Sequence, residues 1–279
     1  MKNTNAYLVL TSGGCLKNQL KEAFYFVLIA AFLSLTSCEK VIQLNLNNST
    51  PRVVIEADIY DHAGPYYVRI SKSVNFDQSS VYPPVSGARV ELSDNSGQSE
   101  VLSETVSGTY LTKNFRGIPG RTYLLKVSTG TETFQASAVM PYAVKPDSIY
   151  FSTSPFSGDK VTTVRLTDPP LMKNYYRFIY IVNNVQIKAI YVLDDELFQG
   201  ATISYSLMSR GYDINLDNGS NVVVWVESID PNVYEYFRTA VTEGGQSASP
   251  SNPVSNISNG ALGYFNASSE RKISAVVRN

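Results

Sequence analysis

The chain has 279 residues and a mass of 30.7 kDa, and with 43% hydrophobic residues it suits two domains of roughly 100 to 140 residues. Its 23 Lys and Arg residues nearly balance 24 Asp and Glu residues, which excludes a basic nucleic-acid-binding strip and a charge-driven disordered chain. Nineteen Tyr and twelve Phe, many alternating with Val, Ile and Thr, favour β structure.

The N-terminal region contains one long apolar run, residues 23–35, preceded by two lysines and too short to span a bilayer as a mature helix. The run ends in Leu-Thr-Ser-Cys at residues 35–38, which resembles the lipobox of bacterial lipoproteins. In that motif the chain is cut before a Cys whose thiol is acylated. We therefore predict a signal peptide over 1–37, cleavage between Ser37 and Cys38, and a palmitate-type lipid on Cys38. A buried core helix with an incidental cysteine is the alternative.

Cleavage would remove three basic residues and one acidic residue, leaving 20 Lys and Arg against 23 Asp and Glu and a net charge of −3. Cys15 would be lost with the signal, so no disulfide is available. Residues 38–51 are polar and predict a lipidated tether. Acyl chains contribute about 0.8 kcal/mol per buried CH₂ and would hold Cys38 on a membrane. Glu39 weakly resembles the acidic surface-export signal that follows the Cys in Bacteroidota-type lipoproteins, and this resemblance slightly favours the cell surface over the periplasmic face of the outer membrane.

Residues 52–141 break into short alternating runs separated by turns, which predicts an N-terminal β-sandwich that resembles immunoglobulin-like domains. The first run and the next would form a hairpin around residues 61–65. The side chains expected to face inward are Val53, Ile55, Ala57, Ile59, Tyr66, Val68, Ile70, Tyr123, Leu125 and Val127.

Residues 141–147 contain two prolines and no apolar period, which predicts a linker over 142–147, followed by a second β-rich domain over 148–279. Two long apolar runs joined at Asn183 and Asn184 predict a hairpin, since Asn tolerates positive φ. One short helix is expected near 231–243, capped by Asp230. The residues at the spacing of its apolar face are Val233, Tyr236, Phe237, Ala240 and Val241. The fold class is therefore mainly β, with two tandem β-sandwich domains.

The residues for nucleophilic or zinc chemistry are scarce. His62 is the only imidazole, and it lies in the predicted turn at residues 61–65, where a polar residue is expected for solvation alone. The one Cys of the mature chain would be acylated, so neither a Ser-His-Asp or Cys-His system nor a zinc site can be completed. We expect no catalytic residue, no cofactor and no metal.

The remaining candidates are oxygen-bearing side chains. Asp194, Asp195 and Glu196 form the densest acidic cluster, whose simplest interpretation is a solvated turn but which could also contact a glycan, a peptide or a partner protein. Tyr82, in a Pro-rich loop, is the Tyr expected to be exposed for such a contact. Asp213, Asn215 and Asp217 also resemble the oxygen ligands of a calcium loop. Because Gly219 falls one place later than an EF-hand requires, residues 216–219 are better explained as a hairpin turn.

Five segments together resemble one family, the domain-of-unknown-function family numbered 4249, which comprises lipoproteins of Bacteroidota-type bacteria. These segments are residues 38–41, 84–92, 120–123, 194–198 and 256–265. The resemblance implies an outer-membrane lipoprotein encoded beside TonB-dependent transporters, and it carries over no catalytic residue. We expect a non-enzymatic, lipid-anchored accessory protein that partners such a transporter. An adhesin or fimbria-like subunit and a carbohydrate-acting enzyme are the alternatives.

The lipid anchor makes a direct prediction. Cys38→Ser should abolish incorporation of labelled palmitate and release the protein from the envelope fraction, because no thiol remains to be acylated. Fractionation after a salt wash measures this, with Cys15→Ser as the matched control that keeps both the label and the location. A Cys38→Ser protein that still sediments with the envelope and resists salt would contradict the interpretation.

Overall fold

A computed structural model of the chain describes residues 24–25, 50–75, 81–154, 158–208, 214–243 and 252–278. Its contacts divide the chain into Met1–Asn48 and Ser49–Asn279. Cys38 lies outside the described residues, as do most of the signal peptide 1–37 and of the tether 38–51, so cleavage and lipidation stay predictions. Among the residues that are described, no helix combines the length and the apolar character that crossing a bilayer requires.

The first half of the folded unit is a sandwich of two sheet layers. Its strands are β1 Val53–Tyr60, β2 Tyr67–Lys72, β3 Arg89–Asp94, β4 Ser99–Val101, β5 Ser103–Val106, β6 Thr109–Leu111, β7 Thr122–Ser128 and β8 Thr133–Val139. One layer has the order β4-β3-β7-β8, and the other contains β1-β2-β6-β5. Apolar residues at alternate positions of both layers meet in a single core. Ile55 and Ile59 come from one layer, and Leu92 and Leu125 from the other.

The predicted hairpin around residues 61–65 is confirmed, because β1 pairs antiparallel with β2. The inward faces are confirmed as well. The buried members of the predicted set in this half are Ile55, Ala57, Ile59, Tyr66, Val68, Ile70, Tyr123, Leu125 and Val127, whereas Val53 is half-buried. Strict alternation in the sequence is therefore a sound guide to the buried face of each strand.

The second half has the same layered plan with a separate core. Its elements are β9 Pro146–Thr153, β10 Lys160–Thr167, β11 Tyr175–Val182, β12 Val185–Gln186, β13 Tyr191–Asp194, β14 Thr202–Leu207, β15 Asn221–Ser228, the helix α1 Pro231–Glu243, and β16 Leu262–Val276. The sheet β14-β10-β9 faces β11 and β15. Val164 and Leu166 from the smaller sheet pack in one cluster with Phe178 and Val224 from the larger one.

Two local predictions in this half are confirmed. Asn183 and Asn184 have φ of 49° and 65° and join β11 to β12 in a hairpin. The helix occupies Pro231–Glu243, and the Asp230 carboxylate caps it by accepting a hydrogen bond from the Asn232 backbone N–H at 2.8 Å. One member of the predicted apolar face is wrong, since Val241 is exposed in the last turn, beyond the reach of the sheet.

Strand β16 belongs to both halves. Its first part pairs in parallel with β1, from Val54–Leu262 to Tyr60–Ser268, and its second part pairs antiparallel with β15. The two large layers thereby join into one nine-stranded sheet, in the order β12-β11-β15-β16-β1-β2-β6-β5 with β13 beside β11. Residues 262–268, which the predicted boundary assigns to the second domain, pack into the first core through Phe265 and Ala267.

The predicted linker, residues 142–147, is anchored to the body of the protein by two buried residues, Val144 and Pro146, although Tyr142, Lys145 and Asp147 are exposed. Val144 is buried in the second core, and its backbone N–H donates to Ser228 Oγ at 3.2 Å. Strand β9 already begins at Pro146. The segment therefore connects two sandwiches that share a sheet, and it is not an exposed hinge.

The Asn-rich segment before β16 closes the edge of β8. The Asn256 side chain makes two hydrogen bonds to the backbone of Phe265, at 2.8 and 2.9 Å. Ser258 bonds Gln135 through both its backbone and its hydroxyl, at 2.8 Å each. These contacts give residues 256–265, one of the five segments that resemble the family, a structural role, because they pair an edge strand that would otherwise be open.

The absence of a side chain at Gly263 lets β16 lie close to β1. It has φ of 94°, and a Cβ there would collide with the carbonyl of Ile55. Gly263→Ala should therefore lower the free energy of unfolding by about 4 kcal/mol, the sum of backbone strain and a steric clash. Urea denaturation measures this loss.

Gly97→Ala is the matched control, because Gly97 has φ of 95° but open space around the position of a Cβ. It should cost only the strain, about 1 kcal/mol. Equal losses in the two variants would show that the β1–β16 contact is not close.

Candidate functional site

Two loops lie side by side at one end of the second sandwich. Residues 168–174 lead from β10 to β11, and residues 195–201 lead from β13 to β14. Strands β10 and β14 are neighbours in the small sheet, and β11 and β13 are neighbours in the large one. Both loops therefore cross between the same two sheets at the same edge, and we call them the paired loops.

Hydrogen bonds hold the paired loops to each other and to β11. Asp168 Oδ1 accepts a hydrogen bond from Tyr176 Oη at 2.5 Å, and its Oδ2 accepts one from the Gly200 backbone N–H at 3.1 Å. Gln199 Nε2 donates to the carbonyl of Met172 at 3.2 Å. The loops are thus held by specific bonds on both sides.

A second set of bonds closes the base of the loops. The backbone N–H of Asn174 donates to Asp195 Oδ2 at 2.7 Å, and the backbone N–H of Asp195 donates to the carbonyl of Asn174 at 3.2 Å. Asp195 and Asn174 are both buried, with 0% and 9% of their surface exposed. Burial raises the pKa of the Asp195 carboxyl, and the nearby Asp168 raises it further.

The paired loops expose four large apolar side chains. Leu171 is 96% exposed and Leu197 is 85% exposed, and Met172 and Phe198 are also exposed. Leu171 has φ of 70°, a conformation that a residue with a Cβ rarely adopts. Four large apolar side chains on two fastened loops form a patch of the kind that marks interaction sites. We call these four residues the apolar tip.

The acidic cluster predicted from the sequence lies in this site, although its members differ in environment. Asp194 is half-buried and accepts a hydrogen bond from Tyr234 Oη of α1 at 2.8 Å, and Glu196 is exposed. Asp195 is fully buried, so the interpretation of the whole cluster as a solvated turn is wrong for this residue. Its buried carboxylate accepts a hydrogen bond from the backbone N–H of Asn174 on the other loop.

The other predicted contact residues lie elsewhere. Tyr82 is exposed, as expected, but it lies between β2 and β3 in the first sandwich. Asn215 and Asp217 are exposed beside a turn in which the Ser220 backbone N–H donates to the Asp217 carbonyl at 2.9 Å, and Asp213 lies outside the described residues. Within the described ranges, no three His, Cys, Asp or Glu side chains come together as a metal-binding group.

A buried ionic cluster beneath α1 is absent from the predicted sites. Arg177 and Glu227 are cross-strand neighbours on β11 and β15, with Nη1 and Oε2 3.2 Å apart, and the guanidinium lies 4.0 Å from the ring centre of Phe237. Asp58 on β1 couples electrostatically with Arg177 and accepts a hydrogen bond from Tyr264 Oη at 3.0 Å. The available signal was the presence of charged residues inside three mainly apolar strand runs.

The residues missed in the paired loops are Asp168 and Asn174. Each lies directly beside a strand end, a position where polar residues are common, so the sequence gives no reason to select them. Only the proximity of the two loops makes them part of one site.

Glu227 makes the ionic cluster sensitive to pH. Its burial raises the carboxyl pKa from 4.5 to about 7, against the opposing effect of Arg177. The folded protein therefore holds a proton that the unfolded chain releases above pH 4.5, so stability should fall as the pH rises from about 4.5 to 7. In Glu227→Gln, the fall in the free energy of unfolding over this pH range should be smaller by on the order of 1–3 kcal/mol. Urea titrations at several pH values measure this difference. The exposed Glu132, changed to Gln, is the control, and an unaltered slope in Glu227→Gln would contradict the assignment.

The chain was compared with known proteins. No curated protein resembles the chain closely enough to count as a match. A family model described as "Domain of unknown function (DUF4249)" matches residues 39–274. The matched range includes both sandwiches, the paired loops and β16 as far as Ser274. The chain therefore belongs to the DUF4249 family.

Proposed function

We propose that this protein is a lipid-anchored accessory protein of the outer membrane that binds a TonB-dependent nutrient transporter through its paired loops and acts without catalysis. The lipobox-like ending at Cys38 supports the anchor, and the resemblance to Bacteroidota-type lipoproteins supports the membrane and the class of partner. The cell surface is the favoured face.

The apolar tip is the observation that carries the proposal. A Leu side chain moved from water into a protein interface contributes about 1.5–3 kcal/mol. Leu171 and Leu197 are almost wholly exposed, and Met172 and Phe198 lie beside them in the same loops. A partner that covered this patch would gain a central group of apolar contacts, which is where binding energy concentrates in protein interfaces.

The surroundings of the apolar tip also suit a protein partner. Lys173, Glu196 and Gln199 are exposed in the same loops and would form a polar rim around the apolar centre. The hydrogen bonds of Asp168 and Asp195 order the loops before binding, so the entropy lost on association is small.

A lipid anchor adds to this affinity. It would confine the protein to the membrane that holds the transporter, which raises the effective concentration of the two partners without any new contact. A modest interface is therefore sufficient for a stable complex.

The proposal is tested by capture through a C-terminal tag after mild detergent extraction. The wild-type protein should bring down a TonB-dependent transporter, identified by mass spectrometry. Leu171→Asp and Leu197→Asp should each lower the recovered transporter at least about tenfold, because a charge replaces an apolar contact at the centre of the interface.

Val185→Asp is the matched control. Val185 is also an exposed apolar residue of the second sandwich, but it lies on β12, outside the paired loops. It should leave the recovery unchanged. Equal recovery from all variants would reject the loops as the contact, and capture of further copies of this chain in place of a transporter would support a structural subunit.

A further inference from the structure

The paired loops enclose two buried carboxylates, and the exposed Lys173 acts electrostatically on one of them, Asp195. Asp168 and Asp195 are 1% and 0% exposed, and they couple electrostatically with each other. In the part of the chain that the structure describes, neither carboxylate forms an ion pair with Lys, Arg or His. Two buried carboxylates without a cation are costly, so buried charges in proteins are paired, bound to a metal or neutralised by a proton.

Two buried oxygen atoms at the same place lack a donor. Neither Asn174 Oδ1 nor Asp195 Oδ1 has a hydrogen-bond partner among the described residues. Asn174 directly precedes Tyr175 and Asp195 directly follows Asp194, so the two residues lie opposite each other, just beyond the Tyr175–Asp194 pair of β11 and β13. Hydrogen bonds from both backbone N–H groups join them, so their side chains leave adjoining positions. Buried acceptors of this kind normally have a partner, and two of them together indicate a binding place for a donor or a cation.

We propose that Asp195, Asn174 and Asp168 bind a hard divalent cation of the Ca²⁺ class beneath the paired loops. Carboxylate and amide oxygens are the ligands that Ca²⁺ prefers, and water completes its flexible coordination. Each oxygen of Asp168 accepts one hydrogen bond and retains a lone pair for a cation.

Charge balance favours a divalent cation over a proton. A proton on Asp195 Oδ1 could be donated to Asn174 Oδ1 and would give both atoms a partner, but it would leave the buried Asp168 carboxylate without a cation. A divalent cation would be a partner for both atoms and would also balance the charge of both carboxylates. The irregular loop geometry suits Ca²⁺ better than Mg²⁺, which demands a nearly octahedral set of ligands.

The cation site goes beyond the proposed function and does not depend on it, since binding can be measured without any partner. A cation held by Asp168 and Asn174 from one loop and by Asp195 from the other would join the loops beneath the apolar tip. It would therefore raise the free energy needed to separate them.

The test uses the purified full-length protein after treatment with a chelator. Addition of about 5 mM Ca²⁺, well above the dissociation constants common for extracellular sites, should raise the Tm by about 5 °C or more. Tb³⁺ in place of Ca²⁺ should show luminescence excited through tyrosine, because Tyr176 Oη contacts Asp168 directly. Excess Ca²⁺ should displace the Tb³⁺ signal.

Two variants locate the site. Asp195→Asn should lose the Tb³⁺ signal and most of the rise in Tm. Asn174→Asp should lower the Tm without Ca²⁺, since it adds a third buried negative charge, and should lower the concentration of Ca²⁺ needed for half of the effect about tenfold. This second variant gives an answer even where Asp195→Asn folds poorly.

Asp217→Asn is the matched control, because Asp217 is an exposed acid of the second half outside the paired loops. It should respond to Ca²⁺ as the wild type does. Loss of the response in Asp217→Asn alone would place the cation in the 213–217 loop and overturn the proposal. A wild type that ignores Ca²⁺ and Tb³⁺ but gains stability as Asp195 is protonated would overturn it in favour of a bound proton.

Discussion

The pairing of β16 with both β1 and β15 is the constraint on which the rest of the structure depends. Its first part runs parallel to β1 and its second part runs antiparallel to β15, so one strand completes a layer of each sandwich. Phe265 fills the first core from this strand, and Ile273 packs against the second. Because a parallel pair cannot be made by a short hairpin, this contact must be formed between the two ends of the folded unit. It fixes the two sandwiches as parts of one nine-stranded sheet.

The same shared sheet explains where polar groups are buried. Beneath α1 the sheet is covered on both faces, so Arg177, Glu227 and Asp58 are withdrawn from water and compensate one another. At the end of the second sandwich, the paired loops must cross from the small sheet to the large one, and their backbone groups need acceptors inside. Asp168 and Asp195 provide them. The apolar tip lies on loops whose backbones are held by these hydrogen bonds.

The sequence was informative wherever a structural feature depends on neighbouring residues. The alternation in β1 and β7 predicted their buried faces, Asn183 and Asn184 predicted a hairpin, and Asp230 with Pro231 predicted the start of the helix. Each of these signals is local, since a turn or a cap is decided within a few residues. The acidic residues at 194–196 also marked the right region of the candidate site. Their separate roles were not predictable, because Asp195 is buried only through contact with Asn174 on the other loop.

By itself, the sequence determined the mainly β class, the strand faces, the short helix and the family, because periodicity, turn residues and motifs are written in consecutive positions. The tertiary structure alone decided that residues 262–268 join the first sandwich, that residues 142–147 are anchored to the body of the protein, and that Asp168, Asn174 and Asp195 converge. These outcomes bring together positions that are far apart in the chain. Their pairing depends on which alternative buries the most apolar surface and satisfies the most backbone groups, and no local pattern records that choice.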